Sequence, residues 1–230
     1  GFLEDLSLVG KKGVINKNSV LVQNIIAHIN NPIDHIQITA CIPQDYSFAI
    51  LDTINQITIS NNTYTKQIIW ALLNSKLVNW YAYRFIFGKA IRTMHFDNSV
   101  TSRIPIPLIS SYEMSIFKNL VDYIIFLKSQ PLEDVTDKLM PIYFEQIIDG
   151  MVYELYLGEL LREHGREIIK HLGELPEITE KMSAAQKMET IRDVFKRLND
   201  REHPVCINLF YLDSIPEIRL IEGKDADNQY

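Results

Sequence analysis

Between Gly88 and Ile109 the chain carries Lys89, Arg92, His95 and Arg103 but a single acid, Asp97. Cations spaced this loosely make no catalytic constellation. They suit phosphate oxygens, and an arginine can also donate two parallel hydrogen bonds to a guanine edge. Asn30, Asn31, Asn61 and Asn62 fall in stretches rich in turn formers. A carboxamide there either stabilises the turn locally or reads an adenine edge. The chemistry on offer is recognition of a polyanion with polar edges, and the competing reading of the same cations is a solvated face. Lys11 and Lys12 are weaker candidates of the same kind.

Other polar sets are less suited to chemistry. His164, Glu167 and His171 stand at i, i+3 and i+7, which predicts one helix face. At helical rise the two imidazoles lie roughly 10 Å apart along the axis, too far to share one zinc ion, so a solvated face is expected. Glu133, Asp134, Asp137 and Lys138 have the order of a nuclease carboxylate set but lack the β-branched strand that would present it. A charged linker between helices is expected there, and Glu145, Asp149 and Glu154 read as the solvent side of the next helix. The chain has no GxGxxG, GxxxxGKS/T, GxSxG or HExxH run. The Asn-Pro-Pro-Tyr type of run that positions an adenine amino group is also missing; Asn31-Pro32-Ile33-Asp34 does not match it. Cys41 and Cys206 form no CxxC pair and read as small buried hydrophobes in a reducing cytoplasm, with neither a zinc knuckle nor a disulfide framework. No catalytic site and no metal or cofactor site is read from these residues.

The elements that must position the candidates come next. At 230 residues, with 47% hydrophobic and 23% charged residues, the composition is that of a soluble globular chain of one or two domains. The most apolar stretch, Ile68 to Phe87, is interrupted by Asn74, Ser75, Lys76, Asn79 and Arg84, so no membrane span is expected. The first residues carry no signal-peptide pattern, and a start without methionine suggests part of a longer polypeptide. Residues 1 to 110 hold nine Lys and Arg against six Asp and Glu, whereas residues 111 to 230 hold fourteen against twenty-three. The first half is fit to face a polyanion, and the second to stay in water or meet a partner.

Alternation of β-branched residues in SVLVQNIIAHI, HIQITACI and FAILDTINQITIS predicts short strands separated by NNPID, IPQD and SNN, with phase changes at Asn24 and near Asp52. Thr63 or Thr65 is expected to cap one long helix ending at Gly88, with Trp80, Tyr81, Tyr83, Phe85 and Phe87 packed in the core. A strand-like return follows and leaves through Ile104-Pro105-Ile106-Pro107. Helical periodicity dominates from Tyr112 to Asp200, with Gly150, Gly158 and Gly165 as weak points; the last stretch reads as a strand or hairpin and a polar tail. The fold class expected is α+β: a small, mostly antiparallel β module with a long bracing helix, followed by a C-terminal helical region. Its divisions are 1–110, 111–205 and 206–230.

Leu72-Leu73-Asn74-Ser75-Lys76-Leu77, the Ile104-Pro105-Ile106-Pro107 exit and the helix after it resemble a bacterial DNA target-recognition domain. The pattern is similar to the specificity domains of type I restriction–modification systems. It is closer to the TaqI-like C-terminal specificity domain of adenine-N6 DNA methyltransferases and single-chain type IIG restriction–modification enzymes. Ile147 to Tyr156 also resembles a helix near the end of such methylase chains. The resemblance spans residues 20 to 165. It implies sequence-specific binding of double-stranded DNA by Lys89, Arg92, His95, Arg103 and the four asparagines. It further implies a cytoplasmic parent enzyme whose S-adenosylmethionine site, transfer chemistry and possible nuclease lie outside this chain, in a catalytic domain that this chain partners. Two rivals stand beside it: a helical interaction module docking to a catalytic subunit without a DNA role, and a small magnesium-dependent nuclease or hydrolase using Glu145 or Asp149.

Overall fold

The computed structural model describes residues 10, 13–31, 33–60 and 63–224, which fall into two units divided after Ile106. In the first unit, the predicted strand segments yield β1 (Ser19–Gln23), β2 (Ile25–Ile26), β3 (His28–Ile29), β4 (His35–Ile36), β5 (Ala40–Cys41) and β6 (Ile54–Thr58). Val20 and Val22 are buried on one face of β1, as their alternation requires. β1 lies between β5 and β6, antiparallel to both, with Val22 opposite Ala40 and Asn55. The phase change at Asn24 is where the chain leaves this sheet. β2 pairs with β7 (Met94–His95), and β3 pairs with β4.

Thr65 caps α1 (Lys66–Asn74), its hydroxyl accepting from the Ile68 amide at 3.4 Å. The single long helix expected from here to Gly88 is instead broken at Ser75, where ψ is 147°. The Ser75 hydroxyl donates to the Leu72 carbonyl at 2.7 Å and accepts from the Val78 amide at 3.3 Å. One residue thus closes α1 and caps α2 (Lys76–Tyr81), a dual role open to a short hydroxyl side chain. A π-helical segment, Ala82–Ile86, follows, and then β7 and the one-turn α3 (Asn98–Thr101). The strand-like return after Gly88 is therefore only two residues of strand.

The second unit is helical, and the whole is α+β. Ser110 and Glu113 form a capping box for α4 (Ser111–Lys128), and Asp134 caps α5 (Val135–Glu163), which bends where Leu157 leaves helical geometry. Leu120, Tyr123, Ile124 and Leu127 of α4 meet Phe144, Ile147 and Met151 of α5 in a fully buried core. Then come α6 (Ile169–Leu172), α7 (Ala184–Leu198), α8 (Pro204–Tyr211) and α9 (Pro216–Ile221).

Several expectations are corrected. The strand or hairpin over 206–230 is helical to Ile221: Pro204 and Pro216 open helices, a position where a missing amide costs nothing, and Val205, Asn208 and Leu212 repeat at helical spacing on the buried side. The polar tail from 225 lies outside the described residues. Gly150 is no weak point; a Cβ there would come within 3.0 Å of Leu209 and 3.2 Å of Ile168, so the glycine allows close packing. Gly165, with φ of +65°, separates α5 from α6, so His164, Glu167 and His171 do not share a helix face. Cys41 is exposed, on the outward side of an edge strand whose inward neighbours are Ala40 and Ile42, and Cys206 is half-buried.

The acidic sets also have structural duties. Asp137 is buried and accepts two hydrogen bonds from Arg192, at 2.9 and 2.6 Å. Glu154 is half-buried and accepts from the amides of Ile168 and Ile169 at 2.6 and 2.8 Å, capping α6 rather than facing solvent. Glu145 pairs with Lys128 at 2.5 Å. Among the described residues no group of His, Cys, Asp and Glu is arranged to hold a metal ion, and no helix is long and apolar enough to cross a membrane.

Candidate nucleic-acid interface

The support for the basic segment begins with two carboxamides. Asn74 accepts from the Ala40 amide and donates to the Ala40 carbonyl, both at 3.2 Å, pairing with β5 as a strand backbone would. Asn79 is buried; its oxygen accepts from the Ile38 amide at 2.5 Å, and its nitrogen donates to the carbonyls of Leu73 and Ser75 at 3.1 and 2.7 Å. The LNS element and the asparagine four residues after Ser75 thus bracket segment 38–40 to the helix break. Buried main-chain groups need such partners, and two-residue strands supply few of their own.

Beyond α2 the Phe87 amide bonds to the Ala82 carbonyl and the Lys89 amide to the Tyr83 carbonyl, each at 2.9 Å. The first bond spans five residues and widens the last turn, and the second, spanning six, closes it. It ends through two left-handed residues, Gly88 at φ +59° and Lys89 at φ +58°. That conformation costs a side chain other than glycine about 1–2 kcal/mol. Arg103 returns to the same place: its guanidinium donates to the Phe85 carbonyl at 2.9 Å and to the Ile86 carbonyl at 3.2 Å. These carbonyls would otherwise lack partners, and a cation at a helix C-terminus is favourable.

Lys89 and Arg103 therefore meet at one helix end, both exposed. Arg92 is exposed in the loop that follows, and His95 is exposed on β7 opposite Ile25. Asn30 and Asn31 are exposed between β3 and β4, and the ring of His28 in β3 stacks on Tyr83 of the π-helical segment, with centroids 6.0 Å apart. That contact joins the asparagine hairpin to the end of the same helix. Asn61, Asn62, Lys11 and Lys12 lie outside the described residues. Asp97, the lone acid of the segment, caps α3 through the Ser99 amide at 2.9 Å; the Ser99 hydroxyl, at 2.5 Å, holds its carboxyl below the usual range.

Four of the five aromatic residues expected in the core, the half-buried Phe87 among them, depart from that expectation. Tyr83 is buried, Trp80 and Tyr81 are half-buried, and Phe85 is 58% exposed. The Phe85 ring meets Trp80 edge-on at 5.6 Å and Tyr81 at 5.4 Å, while the Arg84 guanidinium lies 5.2 Å above Trp80. No local signal in the sequence marks the π turn that allows this.

A second feature escaped sequence reasoning: a cleft of about 900 Å³ along the outer edge of β6, lined in part by Asp52, Asn55, Gln56, Asp97 and Asn98. Two carboxylates make it a poor phosphate cradle. Two of its carboxamides are also engaged, Asn55 with the Phe96 carbonyl at 2.5 Å and Gln56 with the Asn16 amide at 2.6 Å. The helix end, with its cations, is the better candidate. Compared with models of known families, with curated proteins and with solved structures, the chain matches none.

Proposed function

We propose that the first unit recognises double-stranded DNA on behalf of an adenine-N6 DNA methyltransferase of the type IIG restriction–modification kind. The observation that carries this reading is the helix end at 82–89. There a lysine occupies a costly left-handed position, beside an arginine, on a support braced by side-chain hydrogen bonds. A strained residue held by its surroundings is characteristic of functional sites. Lys89, Arg92, His95 and Arg103 would contact phosphates and set register, and Asn30 and Asn31 would read base edges. The catalytic domain, with its S-adenosylmethionine, would lie elsewhere in the same cytoplasmic polypeptide and flip the target adenine out of the duplex.

The test is fluorescence anisotropy of the whole chain with a random duplex pool at several salt concentrations. Lys89→Asn removes the charge with a residue that tolerates left-handed geometry, and Arg92→Ala removes a second cation. Each is expected to reduce the slope of log K against log salt by about 1. Binding indifferent to salt and to both substitutions would refute the reading. One observation favours the rival docking role: Val135, Leu139 and Ile142 are 72%, 52% and 53% exposed at helical spacing on α5. Salt-indifferent behaviour would turn attention to that stripe.

A further inference from the structure

We infer that Phe85 is a stacking wedge, whose ring enters the duplex at one base step while the neighbouring cations hold the phosphates. The inference rests on the DNA-binding reading above and adds a residue and a mechanical role to it. An exposed aromatic ring alone needs no explanation. Phe85 differs in how it is held. Trp80 and Tyr81 support the ring, so little side-chain freedom remains to be lost on contact. Its own carbonyl is clasped by Arg103, which fixes the backbone beneath the ring. The π-helical segment departs from the i→i+4 pattern at this point, a local irregularity often found at functional sites.

The surroundings match the chemistry of a nucleotide. A stacked base presents an apolar face within a few ångströms of its phosphates, so a ring that enters the stack needs cations close by. Arg103 and Lys89 are at the same helix end, and Arg84 is in the adjoining turn. Two other phenylalanines are comparably exposed, Phe48 at 62% and Phe210 at 75%. Phe48 has no ring neighbour among the described residues, and Phe210 belongs to the acidic unit. Neither combines a supported ring with clustered cations. Apolar wedges that part a base step are a recurrent way to bend a duplex.

The experiment compares the whole wild-type chain with Phe85→Ala and Phe85→Trp. Duplex affinity and its salt slope would be measured by anisotropy, together with fluorescence of a panel of duplexes carrying 2-aminopurine at successive positions. Phe85→Ala should weaken binding roughly 5- to 150-fold, the range seen when a stacking aromatic is truncated, with the salt slope unchanged. Phe85→Trp should retain affinity. 2-Aminopurine should brighten at a defined step with the wild type and remain dim with Phe85→Ala.

Affinity within twofold of wild type for Phe85→Ala, or no brightening at any position, overturns the wedge. Salt-steep binding by the wild type would then leave the recognition reading standing. A wild type whose binding ignores salt removes both. Should Phe85→Ala fail to fold, Phe85→Gln repeats the comparison, since it keeps side-chain bulk without an apolar or aromatic face.

Discussion

The two units solve the problem of main-chain satisfaction differently. In the helical unit most main-chain bonds are internal to helices, and side chains close the ends: Ser110 with Glu113, Asp134, Ser183 with Gln186, and Glu154 at α6. The β-containing unit has five strands of only two residues among its described residues, too short for a continuous ladder. Asn74 and Asn79 act there as surrogate backbone. Carboxamides in the first unit therefore carry connections that in the second are distributed over many helical bonds. Loss of one asparagine should accordingly be more damaging in the first unit than in the second.

Asn79→Ala gives the largest expected effect. It leaves the Ile38 amide and the Leu73 and Ser75 carbonyls without these partners, a loss of about 3 kcal/mol, with faster exchange of the Ile38 amide. Asn119 in α4 is the fair counterpart, since it is also buried but makes one such bond, to the Leu175 carbonyl at 2.8 Å. Asn119→Ala should cost about 1 kcal/mol in denaturant unfolding. Equal losses at the two sites would break the comparison.

The helical unit has its own concentrated point at Asp137. Asp137→Asn should cost about 1–2 kcal/mol, moderated because Arg192 remains half in solvent. The Arg192 hydrogen bonds hold the Asp137 carboxyl below its ordinary value. Its contribution is therefore complete above the unfolded pKa of about 4 and is lost as pH falls through the lower folded value. Acid titration of the wild type against Asp137→Asn checks the sign: the two stability curves should converge at low pH.

His203 gives a smaller effect in a milder range. Its Nδ1 accepts from the Val205 amide at 3.2 Å, so the cap of α8 requires neutral imidazole. Burial, with help from Arg197 and His171, lowers its pKa. The cap is intact above the unfolded value of about 6.5 and is lost as pH falls through the lower folded one, at a cost of about 1 kcal/mol. Amide exchange at Val205 would report it. The smallest effect belongs to Lys89→Gly, which relieves the left-handed strain but loosens the unfolded chain, for a net gain of about 0.5 kcal/mol. A loss instead would mean that the Lys89 side chain stabilises the turn.

Local patterns were the readable ones. Val20 and Val22 announced β1, Asn24 marked the departure from its sheet, and Thr65 capped the helix expected after it. The break at Ser75 was hidden because a serine within an apolar helical period says nothing of which amide its hydroxyl will accept. The helices after Cys206 were misread because PVCINLF has strand-like composition, and only tertiary burial of Val205, Asn208 and Leu212 reveals the helical spacing. At the candidate site, exposed cations were legible from composition. The clasp of Arg103 on carbonyls 17 and 18 residues earlier was not, since nothing local links them. Nor was the outward turn of Phe85, which depends on hydrogen-bond slippage in the preceding turn.

The asparagine bracket has one more consequence. Asn74 and Asn79 hold segment 38–40 entirely through its main chain, while Gln37, Thr39 and Cys41 are exposed. Attachment is thus separated from side-chain identity along that edge. Replacement of those three outward residues leaves every bracketing bond in place, so the edge can be rewritten in a library while its anchorage stays constant.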